Sequence, residues 1–434
     1  MKIALIALEF PPLNTAGSVR PFRMAEFLGK QGMSVTVFTL SKDPEHRLFS
    51  KPNNLHLESD TFEQIDISPS HPKRNQRNKL REWFSVGDYY LDVWGSDVQA
   101  AMELHINTHG KPDWIIGTCP PFSTALLIRN LSRLFNIPYV LDLRDAWSQW
   151  NVNPLTSYFH YHTVLRRERK CIRDARLTLT TSNQTREDLL KLHGHSSTII
   201  TVENGFDVDI QFPDDISWNN EKLVIGYVGT FYYDPDSHKR MHTPWHKRAP
   251  HRWLHFTPRL EDWTYRSPLY FFRILEHLFT SDPIWKEKIR IEFVGRVPDW
   301  LESMIDEFDL RAVTTLHGQV SLEKSLELQK RFDFFLGTSA KIAGQPDYSM
   351  GSKYYEALQF LKPILAVCGP SPLADLVREG NIGIVLDPDL PEESALRLAD
   401  FIASGKQELN PQKLATRSRP HQLEKLMDFL INQS

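Results

Sequence analysis

The chain has 434 residues, long for a single hydrophobic core, which predicts two domains. With 41% apolar residues, and 51 lysines and arginines against 54 aspartates and glutamates, it reads as a folded, soluble protein of net charge −3. That balance gives no general case for a nucleic-acid binder. The three cysteines, Cys119, Cys171 and Cys368, are too far apart for a metal motif or a disulfide framework and read as cytosolic thiols.

The opening MKIALIALEFPP carries one lysine and a short apolar run that ends in a charge and two prolines, not in a small-residue cleavage site. A first β-strand over residues 2–8 is therefore predicted. A helix over 18–32, closed by Gly32, and a strand over 34–40 complete a βαβ unit. The alternation continues with a strand at 112–118, a helix at 122–135, a strand at 138–143, a strand at 176–182, a helix at 183–194 and a strand at 197–202. Uninterrupted apolar strands separated by helices predict a mostly parallel sheet covered on both faces. The polar, turn-rich segment 204–222 reads as a link. A second series follows, with strands at 223–230, 289–295, 313–318, 332–338, 363–367 and 381–387. Its helices are expected at 270–279, 321–331, 351–360 and 391–404. The expected division is 1–207, a linker 208–222, a second domain 223–417, and a C-terminal helix 418–434 that needs an apolar surface to pack on. No run reaches about 18 apolar residues, so no conventional spanning helix is expected.

Two blocks break the alternation. Residues 42–110 contain the basic run HPKRNQRNKLREW, and residues 232–265 contain HKRAPHRWLHFTPR. Both mix cations with aromatics, including Trp83, Trp245 and Trp253. They read either as solvated loops or as contacts with anionic lipid phosphates.

In tandem α/β domains, ligands gather at the carboxyl ends of the strands, where loops and helix N-termini converge. In the first domain these loops hold Gly17 and Ser18, the proline-stiffened GTCPPFS (117–123), and the charged DLRDAW (142–147) with Arg144 and Asp145. In the second they hold Gly229 and Thr230, Arg296, Gln319 and Val320, Ser339 and Lys341, and the stretch DYSMGSKYYEALQF with Ser352, Lys353 and Glu356. Backbone amides at Gln319 and Val320 suit the edge of a planar base. In isolation Lys353 and Glu356 make an i,i+3 surface pair. At a strand end, beside exposed helix N–H groups, the same lysine reads as an anion receptor. Neither a dinucleotide fingerprint nor a Walker A sequence is present.

With these loops in hand, the chain resembles the GT-B glycosyltransferases, specifically the retaining family-four type of bacterial polysaccharide and glycoconjugate transferases. The likeness runs nearly end to end. It includes PP-x4-G-S-x-R (11–20), CPPFS, LDLRDAW, TTSNQTREDLL, TVENGFD, GYVGT, YRSPLYFFRILEHL, VGR, LHGQV, FDFFLGTS, GSKYYEALQFLKPILAV and NIGIVLDPD, in order. The resemblance implies two Rossmann-like domains facing each other across a cleft, with the C-terminal helix packed back on the first. It implies a nucleotide-diphospho-sugar donor, of UDP or GDP type, held mainly by the second domain. The acceptor is a glycan or lipid-linked glycan, selected mainly by the first.

Under this resemblance Lys353 contacts the donor diphosphate with Arg266 as its basic partner, and Glu356 receives the ribose hydroxyls. Gln319 and Val320 frame the base, Gly17 and Ser18 approach the diphosphate or sugar, and Arg144 and Asp145 lie near the reacting centre. Neither a metal nor another cofactor is expected. The expected location is the cytoplasm, extending to the inner face of the cytoplasmic membrane. Two departures stand out. The family often carries two glutamates separated by seven residues; Glu356 matches the second, whereas Tyr348, beside Asp347, stands at the first. Where a catalytic histidine is usual, this chain has Thr118, Cys119 and Pro120. An inactive glycan-binding or scaffold relative, and a GT-B sugar-phosphate epimerase, remain the alternatives.

Overall fold

The computed structural model describes residues 1–13, 15–41, 57–69, 88, 90–149, 155–207, 209–218 and 221–433. The basic run 71–83, with Trp83, lies outside them. The chain divides into two α/β units: Met1–Asn204 with Trp245–Arg259 and Gln422–Ser434, and Gly205–Pro244 with Leu260–His421.

The first unit is built on seven parallel strands: β1 (Lys2–Ile6), β2 (Ser34–Leu40), β3 (Glu63–Ile67), β4 (Trp114–Cys119), β5 (Tyr139–Leu143), β6 (Leu177–Thr180) and β7 (Ile199–Thr201). Their order is β3-β2-β1-β4-β5-β6-β7. Ile3 pairs with Val35 on one side and with Trp114 on the other. The central strands β4 and β5 are buried at every residue, which explains their unbroken apolar runs. Helices at Ala16–Lys30, Tyr90–His109, Ser123–Phe135, Tyr158–Asp174 and Asn183–His193 flank the sheet sequence. Ser157 and Ser182 cap the last two by accepting the backbone N–H of His160 and Thr185. In the C-terminal helix Arg419–Asn432, Leu423, Leu426 and Leu430 enter the same core as Ile3, Leu5, Val35 and Trp114.

The second unit carries six parallel strands: β8 (Leu223–Val228), β9 (Ile289–Val294), β10 (Thr314–Gly318), β11 (Phe334–Thr338), β12 (Ile364–Val367) and β13 (Gly383–Leu386). The order β10-β9-β8-β11-β12-β13 is that of a Rossmann sheet, with its switch point between β8 and β11. Gly226, mid-strand in β8, is a glycine because the Phe332 ring lies where a Cβ would stand, 2.1 Å away.

The structure departs from a division by chain order in two places. Residues 208–222, expected as a linker, belong to the second unit: Asp215–Ser217 pairs antiparallel with Lys406–Glu408, and Trp218 packs on Phe334 and Phe401. Residues 245–259, inside the second series by sequence, belong to the first unit. There Leu155 and Phe256 form a backbone bridge, and Arg259 pairs with Asp188 at 2.7 Å.

Candidate active site

The stretch around Lys353 forms a helix only over Ser352–Ala357, followed by a 3-10 turn at Leu358–Phe360, shorter than the α-helix expected over 351–360. Fewer than two turns of aligned peptides carry little dipole. The positive potential here is therefore that of side chains. Lys353 and Glu356 do not pair. The ammonium of Lys353 turns to the Tyr227 hydroxyl near the end of β8 and lies 3.7 Å from the centroid of that ring and 5.1 Å from that of Tyr354. Tyr227 itself stacks on Phe231 at 3.8 Å. Burial, and next the neighbouring Arg266 charge, bring the Lys353 pKa down to about 7.

Arg266 reaches the same place from a 3-10 turn, Trp263–Arg266. Its Nη2 donates to Ser349 Oγ at 2.9 Å, with Glu261 and Asp347 carboxylates at 3.6 and 3.7 Å. Burial acts to lower its pKa, but those two carboxylates reverse the effect and hold it charged. Its carbonyl accepts the Thr338 hydroxyl at the end of β11, and Tyr354 bonds both backbone groups of Thr338 at 2.9 Å. Lys353, Arg266 and Tyr227 thus converge at the carboxyl ends of β8 and β11, the strands that flank the switch point.

Glycines open the neighbouring strand ends. Gly229 has φ +104°, and the nearest atom to a Cβ there would be Lys353 Cδ, 3.9 Å away. Gly295 follows β9 with φ +144°, its missing Cβ replaced by the Gly229 carbonyl. Thr230, Arg296 and Gln319 are exposed and Val320 is half-buried in these loops. Glu356 is solvent-accessible, yet desolvation by nearby protein raises its pKa; Arg419 and a bond from Ser352 pull it down, and Asp207 pushes it up.

Asp347 and Tyr348 are both buried with internal partners. Asp347 accepts Ser339 Oγ at 2.6 Å, the Ala340 N–H at 3.0 Å and the Ser349 N–H at 3.1 Å. Tyr348 donates to Glu261 Oε1 at 2.9 Å, while Trp263 donates to Glu261 Oε2 at 2.9 Å. The residue at the position of the missing glutamate therefore holds a glutamate from elsewhere in the chain.

In the first unit, Gly17 stands against an ion pair. A Cβ there would lie 1.7 Å from Glu9 Oε2 and 2.2 Å from an Arg144 nitrogen, and Arg144 pairs with Glu9 at 3.2 Å. Arg144 also bonds the carbonyls of Cys119 and Pro120, so three strand-end loops meet at one guanidinium. Ser18 is buried, its hydroxyl 2.8 Å from that of Thr15. Asp145 is exposed. Arg20 and Asp142, two positions from Ser18 and Arg144 in sequence, form a buried bidentate pair, and Thr118 Oγ1 donates to Asp142 at 3.0 Å. Glu9, Tyr227, Glu261 and the Arg20–Asp142 pair were not singled out by sequence. Arg20 and Asp142 do lie in the GSVR and DLRDAW motifs and Tyr227 in GYVGT, and those motifs are the signal the sequence offers for them.

Among the described residues no group of three or more His, Cys, Asp or Glu is arranged to hold a metal ion. The family profile described as "Glycosyl transferase 4-like domain" matches residues 16–205, and that described as "Glycosyl transferases group 1" matches residues 275–418. One covers most of the first sheet and the other follows in the second, in the order of the motifs. The chain belongs to the GT-B glycosyltransferases of the family-four type.

Solved structures agree on the fold of this glycosyltransferase. A sucrose-phosphate synthase from Thermosynechococcus elongatus matches with TM-score 0.59 and 15% identity, over 100% of this chain and 97% of that one. Anabaena Alr3699/HepE, in complex with UDP, matches with TM-score 0.60 and 14% identity over 100% of both chains. The lipopolysaccharide outer core galactosyltransferase WaaB, in its apo form, matches with TM-score 0.60 and 11% identity over 100% of both. No curated protein matches the sequence.

Proposed function

We propose that this glycosyltransferase moves a sugar from a nucleoside-diphospho-sugar to a hydroxyl of a glycan or lipid-linked glycan, with retention at the anomeric carbon. The observation that carries the reading is the convergence of Lys353 and Arg266 at the strand ends beside the open Gly229 loop. As the sugar leaves, negative charge grows on the nucleoside diphosphate. A lysine and an arginine fixed beforehand stabilise that charge without reorganisation, an effect worth several kcal/mol, about 3 per donor. A diphosphate restores the Lys353 proton that burial disfavours.

Glu356 accepts the ribose hydroxyls in this reading, and Gln319 and Val320 frame the base. Gly229, Thr230, Arg296 and Ser352 line the donor's approach. Acceptor selection falls to the first domain in this reading, in which Gly17 and Ser18 serve the donor's diphosphate or sugar, and Arg144, paired with Glu9, and Asp145 serve the reacting centre. Asp347 and Tyr348 act on the sugar through Arg266 and Glu261. UDP is the base to test first, because the HepE neighbour holds UDP.

A thermal-shift screen of UDP- and GDP-sugars, followed by NMR of the product's anomeric configuration, tests the proposal. The expected result is stabilisation by one nucleotide class and a product of the donor's configuration. Stabilisation by no nucleotide sugar, or an inverted product, contradicts it.

A further inference from the structure

Within the first unit, the segment 245–259 leaves large apolar side chains in solvent. Trp245 is 66% exposed, Trp253 50% and Leu254 64%. Beside them, Phe256 bridges Leu155 and packs on Tyr158 at 5.1 Å, which joins the segment to the first turn of the helix Tyr158–Asp174. In that turn Phe159 is 80% exposed and Tyr158 55%. The segment is a built loop. Trp253 Nε1 donates to the Arg248 carbonyl at 2.7 Å, Arg248 donates to the His255 carbonyl at 3.0 Å, and Arg259 is buried against Asp188. The indole N–H is satisfied from within, and the apolar ring is what meets solvent.

The segment's own charged side chains have one sign. No aspartate or glutamate occurs between Asp236 and Glu261, in a chain whose net charge is −3. Lys247 and Arg252 are exposed between the two tryptophans, with His246 and His251. Exposed tryptophans set among cations, with leucine and phenylalanine to enter an acyl layer, match the chemistry of an anionic lipid surface. A glycan platform would favour flat rings with acids and amides, and a protein interface would be depleted in lysine.

We propose that residues 245–254, with Tyr158 and Phe159, dock this protein on an anionic bilayer surface through inserted Trp245, Trp253 and Leu254 and electrostatic contacts from Lys247, Arg248 and Arg252. None of these residues is among the donor-site residues, so failure of this proposal and failure of the donor reading are distinguishable.

The test is sedimentation of the full-length protein with phosphatidylcholine vesicles and with vesicles containing phosphatidylglycerol. The expected result is at least about tenfold tighter binding to the anionic vesicles, weakened by salt. The triple variant Trp245→Ser/Trp253→Ser/Leu254→Ser should lose about tenfold or more, with its UDP response unchanged. Should the triple variant fail to fold, Lys247→Glu/Arg252→Glu, which alters only exposed side chains, carries the test with the same expected loss. Equal binding to both vesicle types, or wild-type binding in the variants, overturns the proposal. So does absence of vesicle binding with the tryptophans quenched by a soluble oligosaccharide.

Discussion

Lys353 holds its ammonium 3.7 Å from the centre of the Tyr227 ring and bonds the Tyr227 hydroxyl, though 126 positions separate the two residues. Burial and Arg266 lower the Lys353 pKa to about 7, so above that pH the free protein carries a neutral amine there. A diphosphate binds the charged form, so binding is coupled to uptake of one proton from the buffer. UDP affinity is therefore expected to fall as pH rises from 7 to 9, by up to about tenfold per unit, the limit set by uptake of one proton. Lys353→Arg, which stays charged, should flatten the profile. Calorimetry in buffers of different ionisation enthalpy reads the proton directly; equal, pH-independent binding by both proteins rules the linkage out.

Glu261 ties the second domain's site together, accepting Tyr348 and Trp263 and lying 3.6 Å from Arg266. Glu261→Ala removes one of two counter-charges from Arg266 and takes away the carboxylate that Tyr348 and Trp263 donate to. The expected loss is about 3–5 kcal/mol in the second domain, the usual effect of breaking a buried pair from one side. Tyr348→Phe loses one hydrogen bond and about 1 kcal/mol. Urea unfolding of the two variants should separate these values clearly.

Gly17 leaves no room for a methyl group beside Glu9 and Arg144. Gly17→Ala must displace that pair, and a shift of about 1 Å in a positioned group costs on the order of 100-fold in turnover. The substitution should act on kcat more than on UDP binding, since Lys353, Arg266 and Glu356 lie in the other domain. Parallel turnover and UDP titrations check both halves.

Arg20 and Asp142 are each buried and bonded to one another at 2.7 Å. Asp142→Ala strands the guanidinium and removes the acceptor of Thr118, at a cost of about 3–5 kcal/mol. The loss should appear in the first domain's unfolding transition and leave the second domain's unchanged.

What the sequence revealed follows from burial. Strands such as WIIGTC and YVLDL are buried at every residue and so read as unbroken apolar runs. The helix Tyr158–Asp174 carries the charged run RRERK in its middle, and of its five buried residues two are His160 and Glu168, so no apolar stripe marks it. The edge strand Glu63–Ile67, EQIDI, buries a single residue fully and gave no signal. For the candidate site, motif residues lie at the strand ends where expected. What escaped was their partners, because Tyr348–Glu261 spans 87 positions and Arg20–Asp142 spans 122, and no local pattern encodes a contact at that range. The Lys353–Glu356 surface pair that the stretch suggests in isolation is absent: Tyr227 offers the ammonium a hydroxyl and a π-face together.

The donor site is the central claim, and calorimetric titration of UDP into the wild-type protein, Lys353→Ala and Glu356→Ala at pH 7 tests it most directly. Hydrogen bonds to charged groups are worth about 1.5–3 kcal/mol, or about 10- to 150-fold in affinity. The wild type is expected to bind, Lys353→Ala to weaken by about 100-fold and Glu356→Ala by about tenfold. Binding of UDP by both variants at wild-type affinity would contradict the account.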